Sequence, residues 1–216
     1  MSADELLRAC GQLSQRGWVA NHDGNVSIRL PGDRFLATPT AFRKADIGSM
    51  DLLMVDLEGR ILSGRHRIFS EWQLHRAVYE TRPDVGAVVH AHPPCSSAFA
   101  VSSRHLAIDF MPEAVVSLGR SLAHVAYHRP GAAELSAAVQ QAARQANAAL
   151  LMGHGPLSWG RDLTMAMARL ELVEQLANIS LKAQALGGPE ALEEAEIQIL
   201  VAKHRQAGLA APELVS

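Results

Sequence analysis

Apolar side chains recur along this chain at two spacings, one typical of helices and one typical of strands. Residues 3–17 show the first, an amphipathic helix whose apolar face carries Leu6, Cys10 and Leu13. Gly17 stands where such a helix would end. The same spacing predicts further helices over residues 70–84, 131–145, 162–186 and about 190–206.

Two of these helices carry N-terminal caps in their sequence. Ser70 and Gln73 form the S-x-x-Q pattern of a capping box, in which each side chain binds the other residue's backbone N–H. Asp162 precedes the long apolar helix as a single capping side chain. Both patterns predict where the helices begin.

Runs of strand length separate the helices. Residues 85–92 and 148–155 are apolar enough for buried strands, and Pro93 stops the first of them. Strands that alternate with helices indicate the α/β class. Because the chain shows no repeat, low-complexity segment or linker, we expect one domain over residues 1–216. Shorter strands are predicted within residues 21–30, 34–40 and 51–62.

Composition narrows the class of protein. Hydrophobic residues make up 48% of the chain and the net charge is −2, so neither nucleic acid nor an anionic membrane is an expected partner. Two cysteines without a CxxC spacing argue against a disulfide framework. We find no signal peptide and no apolar span of roughly 18 residues, and therefore expect a cytoplasmic protein.

The candidate chemistry lies where the two buried strands end. His90 and His92 stand two residues apart, which on a strand places both imidazoles on one face. His154 lies between two glycines at the end of the second run, and Glu71 lies in the first turn of the helix that precedes the first run. These four side chains are a plausible ligand set for Zn²⁺, and Glu71 could also act as a general base.

Each of these residues also has an ordinary interpretation. The histidines could be polar residues at a sheet edge or in a turn, and Glu71 could be an acid favoured by the helix dipole. The other histidines in polar or helical contexts are interpreted as surface residues. They are His66, His75, His105 and His204.

A second group of residues is suited to an anion. Gly24 and Asn25 form a turn, Thr40 lies in the segment "TPTA", and Ser70 opens a helix, where backbone N–H groups attract phosphate. Arg43 and Lys44 follow nearby. Such small residues also occur in turns for structural reasons, so the pattern alone leaves both interpretations open.

Six motifs of this chain resemble, in their order, the class II aldolase/adducin family, and most closely its fuculose-phosphate-aldolase type. They are "GNVSIR", "ATPTA", "SEWQLHRAVYETRPDVGAVVHAHP", "MPEAVVSLG", "PGAAEL" and "LLMGHGPLSWG". The resemblance covers about residues 5–186, which we take as the core, with a C-terminal helix and tail over 187–216. It implies a three-layer α/β/α fold around a central mixed or antiparallel sheet.

The resemblance also implies an activity and its residues. The ligands would be His90, His92 and His154, with Glu71 as ligand or acid/base, and the metal one Zn²⁺, Mn²⁺ or Co²⁺ per subunit. The enzyme would be a homotetramer with active sites between subunits. It would reversibly cleave a carbon–carbon bond of a sugar phosphate or related hydroxy-ketone through a metal-stabilised enediolate. The phosphate would lie on Gly24, Asn25, Thr40, Ala41 and Ser70.

The chain departs from the family pattern at several of these positions. Phe69 replaces the first of two serines, and Ala41 replaces a glycine, so that its N–H could serve a phosphate only if its φ is negative. The tyrosine that assists proton transfer in fuculose-type aldolases would fall near Phe110, which has no hydroxyl group. Other candidates for the acid are His124, His128 and Glu113.

Three other functions stay open at this point. A decarboxylase of the same fold also needs a metal-stabilised enolate, and arginines could then hold a substrate carboxylate, as in a hydroxy-acid. An epimerase could cleave the bond and add the aldehyde back with inverted configuration. A non-catalytic adducin-like module is the alternative of another class, and the intact histidine and glutamate set argues against it.

Overall fold

The structure is a computed structural model that describes residues 2–212. Eight short strands join in one sheet in the order β4-β3-β2-β1-β5-β8-β7-β6. Neighbouring strands are antiparallel except for the parallel pair β6 and β7. The strands are β1 (Asn25–Leu30), β2 (Arg34–Ala37), β3 (Leu53–Asp56), β4 (Ile61–Ser63), β5 (Ala87–His90), β6 (Ala123–Val125), β7 (Ala148–Leu151) and β8 (Gly155–Gly160).

Helices cover both faces of this sheet, because the central strands are apolar on both sides. Along β5, Val88 packs in the cluster built with α2 and α5, whereas Ala87 and Val89 pack in the cluster built with α1 and α6. The predicted α/β fold with a mixed sheet between helices is confirmed. The helices are α1 (Ser2–Gln15), α2 (Trp72–Thr81), α3 (Pro94–Ala100), α4 (Pro112–Leu118), α5 (Ala133–Gln145), α6 (Leu163–Ala183) and α7 (Glu194–Gln206).

The predicted helix starts have different outcomes. Asp162 caps α6 as expected, since its Oδ1 accepts a hydrogen bond from the backbone N–H of Met165 at 2.7 Å. The prediction of a capping box by Ser70 and Gln73 is wrong. Helix α2 begins one residue later than a Ser70 cap requires, and no side chain caps it. Glu71 occupies the cap position, and its carboxylate binds other partners. Across residues 2–212, no helix combines the length and apolar character needed to cross a membrane.

Two histidines interpreted as surface residues are buried. His75 is 0% exposed, and His204 is 3% exposed. His75 lies on the face of α2 that packs against the sheet, where neighbouring side chains supply its hydrogen bonds. His204 donates from Nδ1 to the backbone oxygen of Val116 at 2.8 Å. Polar sequence context misled the interpretation, because a buried histidine needs only one partner for each ring nitrogen.

Candidate active site

The three central strands bring the candidate residues to one end of the sheet. Asn25 begins β1 and pairs with His90, the last residue of β5. The turn from β7 to β8 carries His154, and β8 runs antiparallel beside β5. Glu71 enters from the N-terminus of α2. Residues far apart in sequence therefore meet where these strands end.

The ligand atoms of the three predicted histidines lie within 4.8 Å of one another, and Glu71 contacts two of these histidines. Nε2 of His90 is 3.0 Å from Nε2 of His92 and 3.1 Å from Nε2 of His154. Oε1 of Glu71 is 2.9 Å from Nε2 of His154, and Oε2 is 3.8 Å from Nε2 of His90. Two neighbouring ligands of a tetrahedral zinc ion are roughly 3.3 Å apart, which these separations approach.

One detail of the prediction is wrong, because His90 and His92 do not share a strand. β5 ends at His90, and His92 follows in the loop, where its backbone N–H donates to the carbonyl oxygen of Trp18 at 2.8 Å. Beyond this loop, Glu174 of α6 accepts hydrogen bonds from the backbone N–H groups of Cys95 and Ser96 at 2.9 and 2.7 Å. The loop that carries His92 is therefore held at both ends.

The hydrogen bonds of the imidazoles indicate which ring nitrogens could bind a cation. Nδ1 of His90 is 2.8 Å from the backbone oxygen of Pro156, which can only accept, so this nitrogen carries the hydrogen. Nδ1 of His92 likewise faces a carboxylate oxygen of Asp23 at 2.8 Å. Burial lowers the pKa of His90 to about 4 and keeps its ring neutral. Nε2 of His90 then presents its lone pair to the other two imidazoles, an arrangement that a cation would stabilise.

Asp23 is a residue that the sequence interpretation missed. Its carboxylate orients His92 from the ring nitrogen opposite the cluster, as in the carboxylate–histidine–metal arrangement that raises ligand basicity. The residue stands in the segment "NHDGN", whose composition indicates only a turn. Oδ1 of Asp23 does serve that turn, since it accepts from the backbone N–H of Ala20 at 2.6 Å.

We expect Asp23→Asn to weaken zinc binding by about tenfold. Asparagine keeps a hydrogen-bond acceptor for His92 but removes the negative charge that makes the imidazole a better ligand. Competition with a chromophoric chelator measures the affinity, and Asp46→Asn, at an exposed aspartate outside the cluster, is the matched control. An affinity equal to that of the control would contradict this role of Asp23.

The environment of Glu71 favours its ionised form. Burial raises the pKa of this carboxyl, but the hydrogen bond from His154, the adjoining His90 and the amide of Asn25 outweigh burial. The resulting pKa lies well below the usual range for glutamate. Nδ2 of Asn25 donates to Oε2 at 2.7 Å. The site therefore holds Glu71 in its ionised form.

A cavity of about 260 Å³ opens beside this cluster. It is lined by four of the five predicted phosphate residues, Gly24, Asn25, Thr40 and Ser70, together with Glu71. The amide of Asn25 is engaged by Glu71 and His75, so at most one of its hydrogens is left for a ligand. Phe69 also lines the cavity, at 6% exposure, and adds an aromatic wall.

Ala41 does not line this cavity, and its φ is +63°. The condition of a negative φ, under which its N–H could replace that of a glycine, is therefore not met. Phe110 and the possible acids His124, His128 and Glu113 also lie outside the lining of this cavity. Phe110 packs against the cluster formed by α3, α4 and α6.

The conformation of Ala41 gives a prediction for stability. A left-handed backbone costs an L-residue roughly 1–2 kcal/mol, and glycine loses about 0.5–1 kcal/mol more chain entropy on folding. Ala41→Gly should therefore raise the free energy of unfolding by about 0.5 kcal/mol. Urea denaturation measures the change. Ala45→Gly, at an exposed alanine without positive φ, should lower the free energy of unfolding instead. An equal decrease in Ala41→Gly would contradict the argument.

Comparison with known proteins gives the family. The model of the class II aldolase and adducin N-terminal domain matches residues 4–181. The 5-methylthioribulose-1-phosphate/5-deoxyribulose-1-phosphate aldolase of Rhodospirillum rubrum is 33% identical over 204 residues, which are 94% of this chain and 90% of that protein. The 3-oxo-tetronate 4-phosphate decarboxylase of Escherichia coli strain CFT073 is 31% identical over 180 residues, 82% of this chain and 84% of that protein.

A solved structure gives the same result for the fold. That of an L-fuculose 1-phosphate aldolase matches with a TM-score of 0.86 at 25% identity, and it covers 94% of this chain and 95% of that chain. The resemblance drawn from the sequence motifs is thereby confirmed. The chain belongs to the family of the class II aldolase and adducin N-terminal domain.

Proposed function

We propose that this protein is a metal-dependent lyase that reversibly cleaves a carbon–carbon bond in a small phosphorylated sugar. The observation that carries the proposal is the convergence of three imidazole Nε2 atoms beside an ionised Glu71 at a polar cavity. Both curated relatives named above act on phosphorylated substrates by breaking carbon–carbon bonds, as an aldolase and as a decarboxylase.

The proposal gives each residue a role. His90, His92 and His154 would hold one divalent ion per subunit, with Zn²⁺ as the first choice and Mn²⁺ or Co²⁺ as alternatives for nitrogen ligands. When bound, the metal supplies a Lewis acid that polarises a carbonyl or hydroxyl oxygen of the substrate. Glu71 takes up and returns the proton.

The cavity supports a phosphate at one end of the substrate. Gly24, Thr40 and Ser70 offer backbone N–H groups and hydroxyls beside Glu71. Phe69 reduces the polar character of the same cavity, which favours a substrate with fewer hydroxyl groups than fuculose. The aromatic side chain could pack against an apolar end group of the sugar.

The experiment that tests the proposal is proton exchange into dihydroxyacetone phosphate in D₂O, followed by NMR. This compound is the enolisable half of a ketose-phosphate aldol reaction, so an aldolase exchanges one proton at its C3. We expect loss of one C3 proton signal with zinc-loaded protein and no loss after a chelator removes the zinc. Exchange that persists without metal would contradict the metal dependence.

A decarboxylase is the second candidate, because the relative of Escherichia coli carries that activity at 31% identity. Protein shown to hold about one zinc per chain that leaves dihydroxyacetone phosphate unchanged would favour it. Release of CO₂ from a 3-oxo acid 4-phosphate would then be measured with the same preparation. Cleavage and decarboxylation differ in whether an aldehyde or CO₂ leaves, and both need the same carbanion to be stabilised.

We also propose a homotetramer with active sites between subunits. Large apolar side chains stay exposed in the single chain, among them Val101 at 73% and Leu186 at 89%. The proposal depends on the resemblance to the class II aldolases, and burial of these side chains against another copy would agree with it. Light scattering should give about four times the mass of one chain, and a monomer would contradict the proposal.

A further inference from the structure

A network of hydrogen-bonded, buried polar side chains leads from Glu71 into the interior. Nδ2 of Asn25 lies 2.7 Å from Oε2 of Glu71, and Oδ1 of Asn25 lies 2.6 Å from Nε2 of His75. Oγ of Ser27 then contacts Nδ1 of His75 at 2.7 Å and the hydroxyl of Tyr79 at 2.8 Å. These four residues beyond Glu71 are each 3% exposed or less.

The amide of Asn25 fixes the direction of the bonds in this network. Its Nδ2 donates to Oε2 of Glu71, and its oxygen therefore faces His75. Nε2 of His75 must then carry the ring hydrogen, which leaves Nδ1 to accept from Ser27. With its hydrogen given to His75, Ser27 accepts in turn from Tyr79. All donors of this network therefore point toward Glu71.

His75 is the member that holds this order. Burial lowers its pKa to about 3, so it stays neutral and keeps a single ring hydrogen. The aromatic rings of Phe69 and Trp72 pack against it, with centroids 4.9 and 6.2 Å away, and exclude water. To turn the amide of Asn25 around would require a change of tautomer in this enclosed site.

We propose that His75 is a positioning residue that selects which oxygen of Glu71 moves the proton. Through Asn25 it keeps Oε2 a hydrogen-bond acceptor. Oε1 faces Nε2 of His154, which a bound metal would take, and is therefore left as the basic oxygen. This inference rests on the proposed function of Glu71. The proton leaves the substrate carbon, its bonding electrons stay with that carbon, and the new O–H bond forms at Oε1, from which the proton later returns. A proton on Oε2 would point at the NH₂ group of Asn25.

The first test measures the tautomer of His75 and needs no activity. In full-length protein with ¹⁵N-labelled histidine, two-bond ¹⁵N–¹H correlations distinguish Nε2–H from Nδ1–H. The spectrum of His75→Gln assigns the resonances by difference. We expect the Nε2–H form at neutral pH in both zinc-loaded and zinc-free protein. The Nδ1–H form would overturn the proposal, because Asn25 would then present its oxygen to Glu71.

The second test compares two substitutions of His75 in the dihydroxyacetone phosphate exchange assay. His75→Leu removes the donor to Asn25, and we expect the exchange rate at saturating substrate to fall about 10- to 100-fold, with KM and zinc content little changed. His75→Gln carries an NH₂ group at the place of Nε2, and we expect it to recover most of that loss. Equal losses in both variants, or a loss confined to KM, would overturn the proposal.

A control substitution at another buried histidine distinguishes a positioning role of His75 from a general loss of stability. His204→Leu removes a histidine of similar burial whose hydrogen bond to Val116 lies outside this hydrogen-bond network. This substitution should leave the exchange rate unchanged while lowering the free energy of unfolding. A fall in rate equal to that of His75→Leu would count against the proposal. If the wild-type protein shows no exchange at all, the proposed function has failed, and the tautomer measurement still decides the role of His75.

Discussion

We expect Glu71→Gln to lower the rate of proton exchange into dihydroxyacetone phosphate by about 10²- to 10⁴-fold, the usual contribution of a positioned general base. Glutamine has the shape of glutamate, and its side-chain oxygen can still accept from Nδ2 of Asn25. What it lacks is a basic oxygen beside His154. The loss should therefore fall on proton transfer, while the fold and the hydrogen bond from Asn25 are kept.

The assay is proton exchange at saturating substrate, with the zinc content measured on the same samples. Glu80→Gln is the matched control, because Glu80 is an exposed glutamate on the same helix whose carboxylate accepts from Arg76 and Gln140, away from the site. It should exchange protons at the wild-type rate. A Glu71→Gln enzyme that retains more than about a tenth of the rate would show that another group moves the proton.

The sequence predicted the cluster of three histidines and Glu71 because most of its members carry a strong local signal. His90 and His154 each follow an apolar run, and such runs become neighbouring central strands whose ends meet. The position of Glu71 is predicted by the helix that precedes the first apolar run. Each position is thus set by an element that hydrophobic pattern alone can locate.

The residues that support the cluster carry no such signal. Asp23 and His75 act through one hydrogen bond each toward a residue that is distant in sequence, 69 and 50 positions away respectively. An aspartate in a turn and a histidine in a helix have many ordinary uses. The pairing of β1 with β5 brings Asp23 beside His92, and the packing of α2 on β1 brings His75 beside Asn25. Neither contact is visible in a single sequence.

The same limit explains the elements that the sequence analysis did not predict. β8 reads "GPLSWG", with two glycines and a proline, a composition that argues against a strand. It forms because β5 and β7 flank it on both sides and bury all of its residues. α3 begins with a proline after another proline, and the buried carboxylate of Glu174 accepts hydrogen bonds from its first turn. In both cases tertiary contacts outweigh local preference.

A metal held by three imidazoles should be lost when one imidazole is removed, and we expect His154→Ala to weaken zinc binding by at least about 100-fold. Even changes in the groups behind the ligands cost about 10- to 100-fold in affinity, so a lost ligand costs more. His154 is the best choice for this test. It lies in an open turn between two glycines, whereas His90 is buried in the sheet, where a cavity would itself destabilise the fold.

Thermodynamic linkage makes the loss visible without an assay of activity. Free zinc at 100 times the wild-type dissociation constant should raise the free energy of unfolding by about 2.7 kcal/mol. In His154→Ala the same zinc concentration should add less than about 0.5 kcal/mol, because it no longer exceeds the dissociation constant. His22→Ala removes an imidazole from the same cavity but outside the cluster, so its stabilisation by zinc should match that of the wild type. A gain in His154→Ala as large as in His22→Ala would place the metal elsewhere.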